Sequence, residues 1–191
     1  MAKLYTAQIE YNETTIREMD KTLQNAFKFH KKVILMVVCL CFLIVGVNLT
    51  ASSNLGLILV IGGCLIAPYA SFYTTPSQSA ISSIDALKGN SFIMRYELSE
   101  DKLTCFVNEK KTVEYPYTSF IRIIETEKYL YLCTSVQQAC MIDLATVKPN
   151  ARDKFIAYVE GRIGLQRTKP FSWFTYNFKT LRFNRKNTRK P

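Results

Sequence analysis

Apolar and polar positions change rhythm several times along the chain, and each rhythm predicts an element. Tyr5, Ala7, Ile9 and Tyr11 alternate with Thr6, Gln8 and Glu10, the two-residue period of a half-buried strand. Asn12 to Thr15 offers a helix cap, and Ile16, Met19, Leu23, Ala26 and Phe27 then recur at helical spacing up to residue 29. From Val33 to Leu49 the polar face disappears, with Asn48 the one strongly polar residue, and a second such run extends from Leu55 to Tyr73. A helix packed on a water-facing core keeps a polar stripe; neither run has one. At about 1.5 Å per residue the first run reaches roughly 26 Å, close to the ~30 Å hydrocarbon core of a bilayer. The two runs are therefore predicted as a transmembrane helical hairpin, spans about 33–50 and 55–73 within a 30–74 segment, joined by a short uncharged turn near Ser52. More than thirty mostly polar residues precede the first run, too many for the apolar part of a secretion signal.

Past Thr75-Pro76, a linker over 75–90 contains "SQSAISSIDAL", with Ile81, Ile84 and Leu87 at helical spacing, and closes on a Gly89-Asn90 turn. Residues 91–164 then read as strands. Phe92, Met94, Tyr96 and Leu98 alternate with polar neighbours, as do Leu103, Cys105 and Val107. Asn108 to Lys111 and Glu125 to Lys128 are hairpin turns, and Pro116 ends one strand. Six short antiparallel strands in succession predict a meander that curls to bury its apolar side. Phe155, Ile156, Val159 and Ile163 predict a final helix stopped at Gly164. The predicted fold class is α+β: a transmembrane two-helix hairpin with a small antiparallel β barrel capped by a C-terminal helix, in the manner of a pleckstrin-homology domain.

Charge orients this picture. The formal net charge is +10 in 191 residues, which favours anionic partners. Lys28, Lys31 and Lys32 flank the first apolar run while the turn between the runs is uncharged, so the positive-inside rule predicts a multi-pass protein with both termini cytoplasmic. His30, the one histidine, lies among these lysines at the expected headgroup level. Gly63, Ala67 and Ser71 fall on one helical face, where they either let two helices approach closely or simply face lipid.

Chemistry-bearing patterns are sparse. The six cysteines form no CxxC pair and no Cys/His cluster, which points to small buried hydrophobes in a reducing compartment rather than metal ligands. No phosphate-binding, nucleophile-elbow or dinucleotide motif occurs, so no cofactor and no catalytic residue is assigned. Glu97, Glu100 and Asp101 around one turn, and Glu125 and Glu127 in another, read as solvated hairpin tips. Lys102, Lys110, Lys111 and Lys128 read as solubilising surface charges.

An N-terminal strand and helix, an apolar hairpin, and the run "YELSEDKLTCFVNEKKTVEYPYTSFIRIIETEKYLYLCTSVQQACMIDL" together resemble the YcxB-like family of bacterial membrane proteins over roughly residues 1–164. The resemblance is carried by Tyr117, Phe120, Glu125, Thr126, Tyr129 and Leu130, with Tyr117 standing where the family often has tryptophan. It implies an integral protein of the bacterial cytoplasmic membrane and brings no catalytic residues.

Residues 165–191 form a basic, aromatic tail. Phe171, Trp173, Phe174, Tyr176 and Phe178 mingle with Lys179, Arg182, Arg185 and Lys186, and the tail from Arg167 has no acid. Three readings stand: an arm on a membrane surface, with rings among headgroups and cations on anionic lipid; a solvated terminus; or a single-stranded nucleic-acid contact, the least favoured of the three. The sequence as a whole points to a non-enzymatic interaction module for a protein or lipid partner. The alternative is an accessory subunit that associates through its apolar helices, and a homo-oligomer is compatible with either.

Overall fold

A computed structural model describes residues 4–50, 53–72, 76–149 and 151–170, with the side chains of 29–32 and 68–72 excepted. The chain divides into two units: Met1–Ala26 with Pro76–Pro191, and Phe27–Thr75. The apolar hairpin is thus inserted into the first unit, whose N-terminal strand completes a sheet formed mainly by residues after the insertion.

In the first unit, β1 (Tyr5–Tyr11), β2 (Phe92–Leu98), β3 (Lys102–Val107) and β4 (Lys110–Pro116) form an antiparallel sheet in that order. Ile9 lies opposite Met94, and Tyr96 lies between Ala7 and Cys105. The β3–β4 turn is short because Asn108 and Glu109 both take left-handed backbone, φ 48° and 65°, the twist a tight hairpin requires. Ala7, Ile9 and Tyr11 are buried while Gln8 and Glu10 are exposed, so this sheet has one dry face, as its alternating sequence predicts.

The second sheet has the order β7 (Ala139–Asp143), β6 (Tyr129–Cys133), β5 (Arg122–Glu125), β8 (Arg167–Thr168). Its strands are apolar at consecutive positions, such as Leu130, Tyr131, Leu132 and Cys133, because both faces are buried. Helix α1 (Glu13–Phe27) is tied to β5 by Arg122, whose Nη1 donates to the Ala26 carbonyl at 2.7 Å and whose Nε donates to Thr168 Oγ1 at 3.0 Å. Helix α5 (Arg152–Ile163) buries Phe155, Ile156, Val159 and Ile163, the four positions its periodicity singles out. The Phe155 ring meets Tyr5 edge-on at 5.3 Å. Gly164 ends the helix at φ 71° with its N–H on the Glu160 carbonyl. Between the hairpin and β2, helix α4 (Gln78–Leu87) is capped by Ser77, whose Oγ accepts from the Ala80 N–H.

The second unit is α2 (Phe29–Leu49) packed on α3 (Asn54–Phe72). Gly46 and Gly56 bring the backbones together: a Cβ at Gly46 would stand 2.9 Å from the Gly56 carbonyl oxygen, and one at Gly56 would collide with Thr50 N. Cys39 Sγ donates to the Gly63 carbonyl at 3.0 Å across the pair.

Two expectations are corrected. Among the described residues no helix is long and apolar enough to cross a membrane, so the transmembrane hairpin and the multi-pass inner-membrane placement fall, and the orientation argued from the flanking lysines falls with them. On α2 the apolar stretch runs only from Val33 to Leu49, with Lys31 and Lys32 before it. The β region is also not one antiparallel meander. It forms two sheets, and the second is mixed because β8, a segment without strand periodicity, runs parallel to β5.

Candidate functional site

The inner face of the first sheet slopes into a cavity of about 310 Å³. Its walls come from β1 to β4, β7 and the turn before it, and helices α1 and α4, with Met19, Met94, Val113 and Tyr115 among the lining residues. Helix α1 reaches this place because Asn12 Oδ1 accepts from the Thr15 N–H while Thr15 Oγ1 accepts from the Asn12 N–H, a reciprocal cap that fixes where the helix leaves the strand. Helix α4 is held beside it by Asp20, whose Oδ2 accepts from the Ser77 N–H at 2.9 Å and from Gln24 Nε2 at 2.8 Å.

The charge census of the lining is decisive. Asp20 is its one acid, and no Lys, Arg or His contributes to it. On a chain with a net charge of +10, this interior offers nothing to an anion. Its polar groups are hydroxyls, amides and thiols. Tyr11 and Tyr96 share a hydroxyl–hydroxyl hydrogen bond of 3.1 Å, and Tyr11 also accepts from the Met141 N–H. Burial pushes Tyr11 up to about 12 and raises Tyr96 well above the usual phenol range. The nearby Cys105 thiol, followed by burial, raises the Cys140 thiol. Tyr11, Tyr96 and Cys140 are neutral near pH 7, and none of the three is the depressed thiol or poised base that nucleophilic chemistry needs. Among the described residues no group of three or more His, Cys, Asp or Glu side chains is placed to hold a metal.

None of the site residues predicted from the sequence lines this cavity. Lys28 immediately precedes α2; Lys31, Lys32 and Ser71 lie in α2 and α3 with side chains outside the description. Gly63 faces α2, where an added Cβ would stand 3.0 Å from Leu43, and Ala67 lies one turn farther along α3. Phe171, Trp173, Phe174, Tyr176, Phe178, Lys179, Arg182, Arg185 and Lys186 lie outside the described residues.

Two presumed hairpin-tip acids are structural. Glu97 is buried, 3.3 Å from Arg95, and Glu125 holds both Arg152 of α5 at 3.0 Å and Arg167 of β8 at 3.3 Å. Likewise Lys102 and Lys111 converge on Glu114, whose carboxyl they hold down at about 2. The cavity itself was missed because its residues come from seven elements far apart in sequence.

The family model described as YcxB-like protein matches residues 98–159, from the end of β2 into α5. That is narrower than the resemblance over 1–164 and leaves out β1, α1 and the hairpin. No curated protein and no solved structure matches the chain.

Proposed function

We propose that the first unit is a non-enzymatic interaction module that takes an uncharged, apolar portion of a partner in the cavity bounded by α1, α4 and the first sheet. The observation that carries this reading is the lining: roomy, neutral apart from Asp20, and without an activated nucleophile. Pockets that combine apolar walls with a few convergent polar groups are the usual places for ligands. Val113 supports an open mouth on the β4 side, since it belongs to the cavity wall yet remains 40% exposed.

A second reading rests on the hairpin, where Ile34, Leu40, Ile58 and Leu65 are all more than half exposed. That much apolar surface is stabilised only by an apolar cover, which favours a subunit associating with the helices of another protein.

One experiment separates the two. A photo-reactive phenylalanine is placed in the full-length chain at Val113, at Ile58, or at Ile93, which is 56% exposed on β2 but does not line the cavity. Adducts from position 113 that vanish when Ser83→Trp fills the cavity support the module. Adducts from position 58 alone support the subunit, and equal labelling from position 93 refutes both.

A further inference from the structure

The first sheet ends on two edge strands, β1 and β4, and the chain treats them differently. Beside β1 lies the segment 146–148. Thr6 exchanges backbone hydrogen bonds of 2.9 and 2.8 Å with Lys148, and Thr146 Oγ1 accepts from the Gln8 N–H and donates to the Gln8 carbonyl. That edge is closed. Beyond β4 no strand follows among the described residues, and six of its seven residues are exposed. Every second residue of an edge strand turns its N–H and C=O away from the sheet, so β4 carries a row of backbone groups open to pairing.

This edge adjoins the cavity. Val113 stands opposite Cys105 and Tyr115 opposite Leu103; both face inward and both line the cavity. Glu114, opposite Thr104, leaves the other face. Thr112 is the extra residue of a bulge, its Oγ1 donating to the Lys110 carbonyl at 3.1 Å, and Lys110 and Lys111 lie beyond it. Lys102 and Lys111 both reach Glu114, at 2.8 and 2.7 Å, so two cations share one carboxylate there. Lys110 is in no ion pair among the described residues.

We infer that the partner of the first unit is an extended segment of another protein that adds to the sheet as a strand beside β4. Opposite Tyr115 and Val113 it carries apolar side chains, which enter the cavity. Opposite Lys111 and Lys110 it carries acids, which meet the surplus positive charge. Read along an antiparallel partner, the motif is apolar, polar, apolar, acid, acid; a parallel partner carries it in reverse. Main-chain hydrogen bonds supply the affinity and the alternating side chains the selection. The inference rests on the interaction reading for the place of the apolar side chains, and adds the pairing of backbones.

The test titrates the isotope-labelled full-length chain with the peptide Thr-Leu-Thr-Leu-Glu-Glu-Thr and with its reversal, followed by NMR of the backbone amides. One of the two is expected to shift the amides of Val113, Glu114 and Tyr115, and to slow hydrogen exchange at those that point outward. N-methylation, either of both leucines or of the threonine between them, probes the pairing. A strand turns these two sets of N–H groups to opposite edges, so one modification is expected to abolish binding and the other to leave it. Lys110→Glu is expected to weaken binding roughly 2- to 30-fold and to favour a peptide with lysines in place of its glutamates. No shift up to about 1 mM of either peptide, or binding indifferent to both methylations, would overturn the inference. So would adducts that join two copies of the chain through a photo-reactive phenylalanine at position 113 and resist the peptide, since they give the edge to a second copy. Ser83→Trp separates this claim from the one beneath it. Methylation-sensitive binding that survives the filled cavity keeps the added strand and removes the cavity reading; binding lost with the filled cavity yet indifferent to methylation does the reverse.

Discussion

The contact between α2 and α3 is where a single methyl group makes the sharpest test, because the glycines of the hairpin differ in what a Cβ would meet. At Gly46 it would stand 2.8 Å from Val60 Cγ2 and 2.9 Å from Val60 N and the Gly56 carbonyl oxygen; two of these three atoms are backbone and cannot swing aside. At Gly63 the nearest atoms, at 3.0 Å, belong to the Leu43 side chain, which can turn. At Gly62 nothing lies within 4 Å. Every Gly→Ala change in a helix gains about 1 kcal/mol of intrinsic propensity, so Gly62→Ala measures that gain alone. Gly46→Ala adds an overpacking cost of about 1–3 kcal/mol. The assay is alkylation of Cys39, which is 3% exposed with its thiol on the Gly63 carbonyl, in a background where the exposed Cys41 and Cys64 are serine. If the helices must part for Cys39 to react, its rate follows the open population. Gly46→Ala is then expected to react roughly 5- to 150-fold faster than Gly62→Ala, with Gly63→Ala between them. Equal Cys39 rates in Gly46→Ala and Gly62→Ala would refute the close approach of the two backbones.

Other outcomes follow from the first unit. Phe155 is fully buried, and Phe155→Ala is expected to cost about 3–5 kcal/mol in urea unfolding followed by circular dichroism; a loss below about 1 kcal/mol would mean that α5 is not part of the cooperative core. Tyr117 and Tyr158 both donate to the Ser99 carbonyl, at 2.8 and 2.7 Å, so either Tyr→Phe change leaves it one donor. The double variant is expected to lose about 1 kcal/mol more than the two singles add up to, read as a double-mutant cycle. Burial raises Cys133 from 9.0 to about 12 and Tyr11 from 10.0 to about 12. The folded state therefore holds protons that the unfolded state has lost. Stability is full below pH 9 and falls as pH rises from 9 to 12, by up to about 1.4 kcal/mol per pH unit for each group titrating. Urea midpoints between pH 7 and 11 check this, and a flat profile through pH 11 would contradict it.

Local order was legible in the sequence wherever one residue pattern sufficed. The alternation of Tyr5 to Tyr11 specified β1, the Asn12–Thr15 pair specified the cap of α1, and Phe155, Ile156, Val159 and Ile163 specified the buried face of α5. Glycine at residue 164 marked where that helix stops, because its left-handed backbone costs glycine almost nothing. Such features depend on neighbours within one or two turns of chain.

What only the tertiary structure decided was everything that depends on partners distant in sequence. The pairing of β1 with β2, across an inserted hairpin, makes the N-terminal strand part of the same unit as residues after 76. The parallel seat of β8 on β5 depends on Arg122 and Glu125 waiting for Thr168 and Arg167. The contact of the Tyr11 hydroxyl on β1 with the Met141 N–H on β7 arises because two sheets face each other, and no periodicity within either strand encodes which residues will meet. A side-chain period tells a strand which face is dry. The identity of what lies across that face is fixed only when the sheets close on one another.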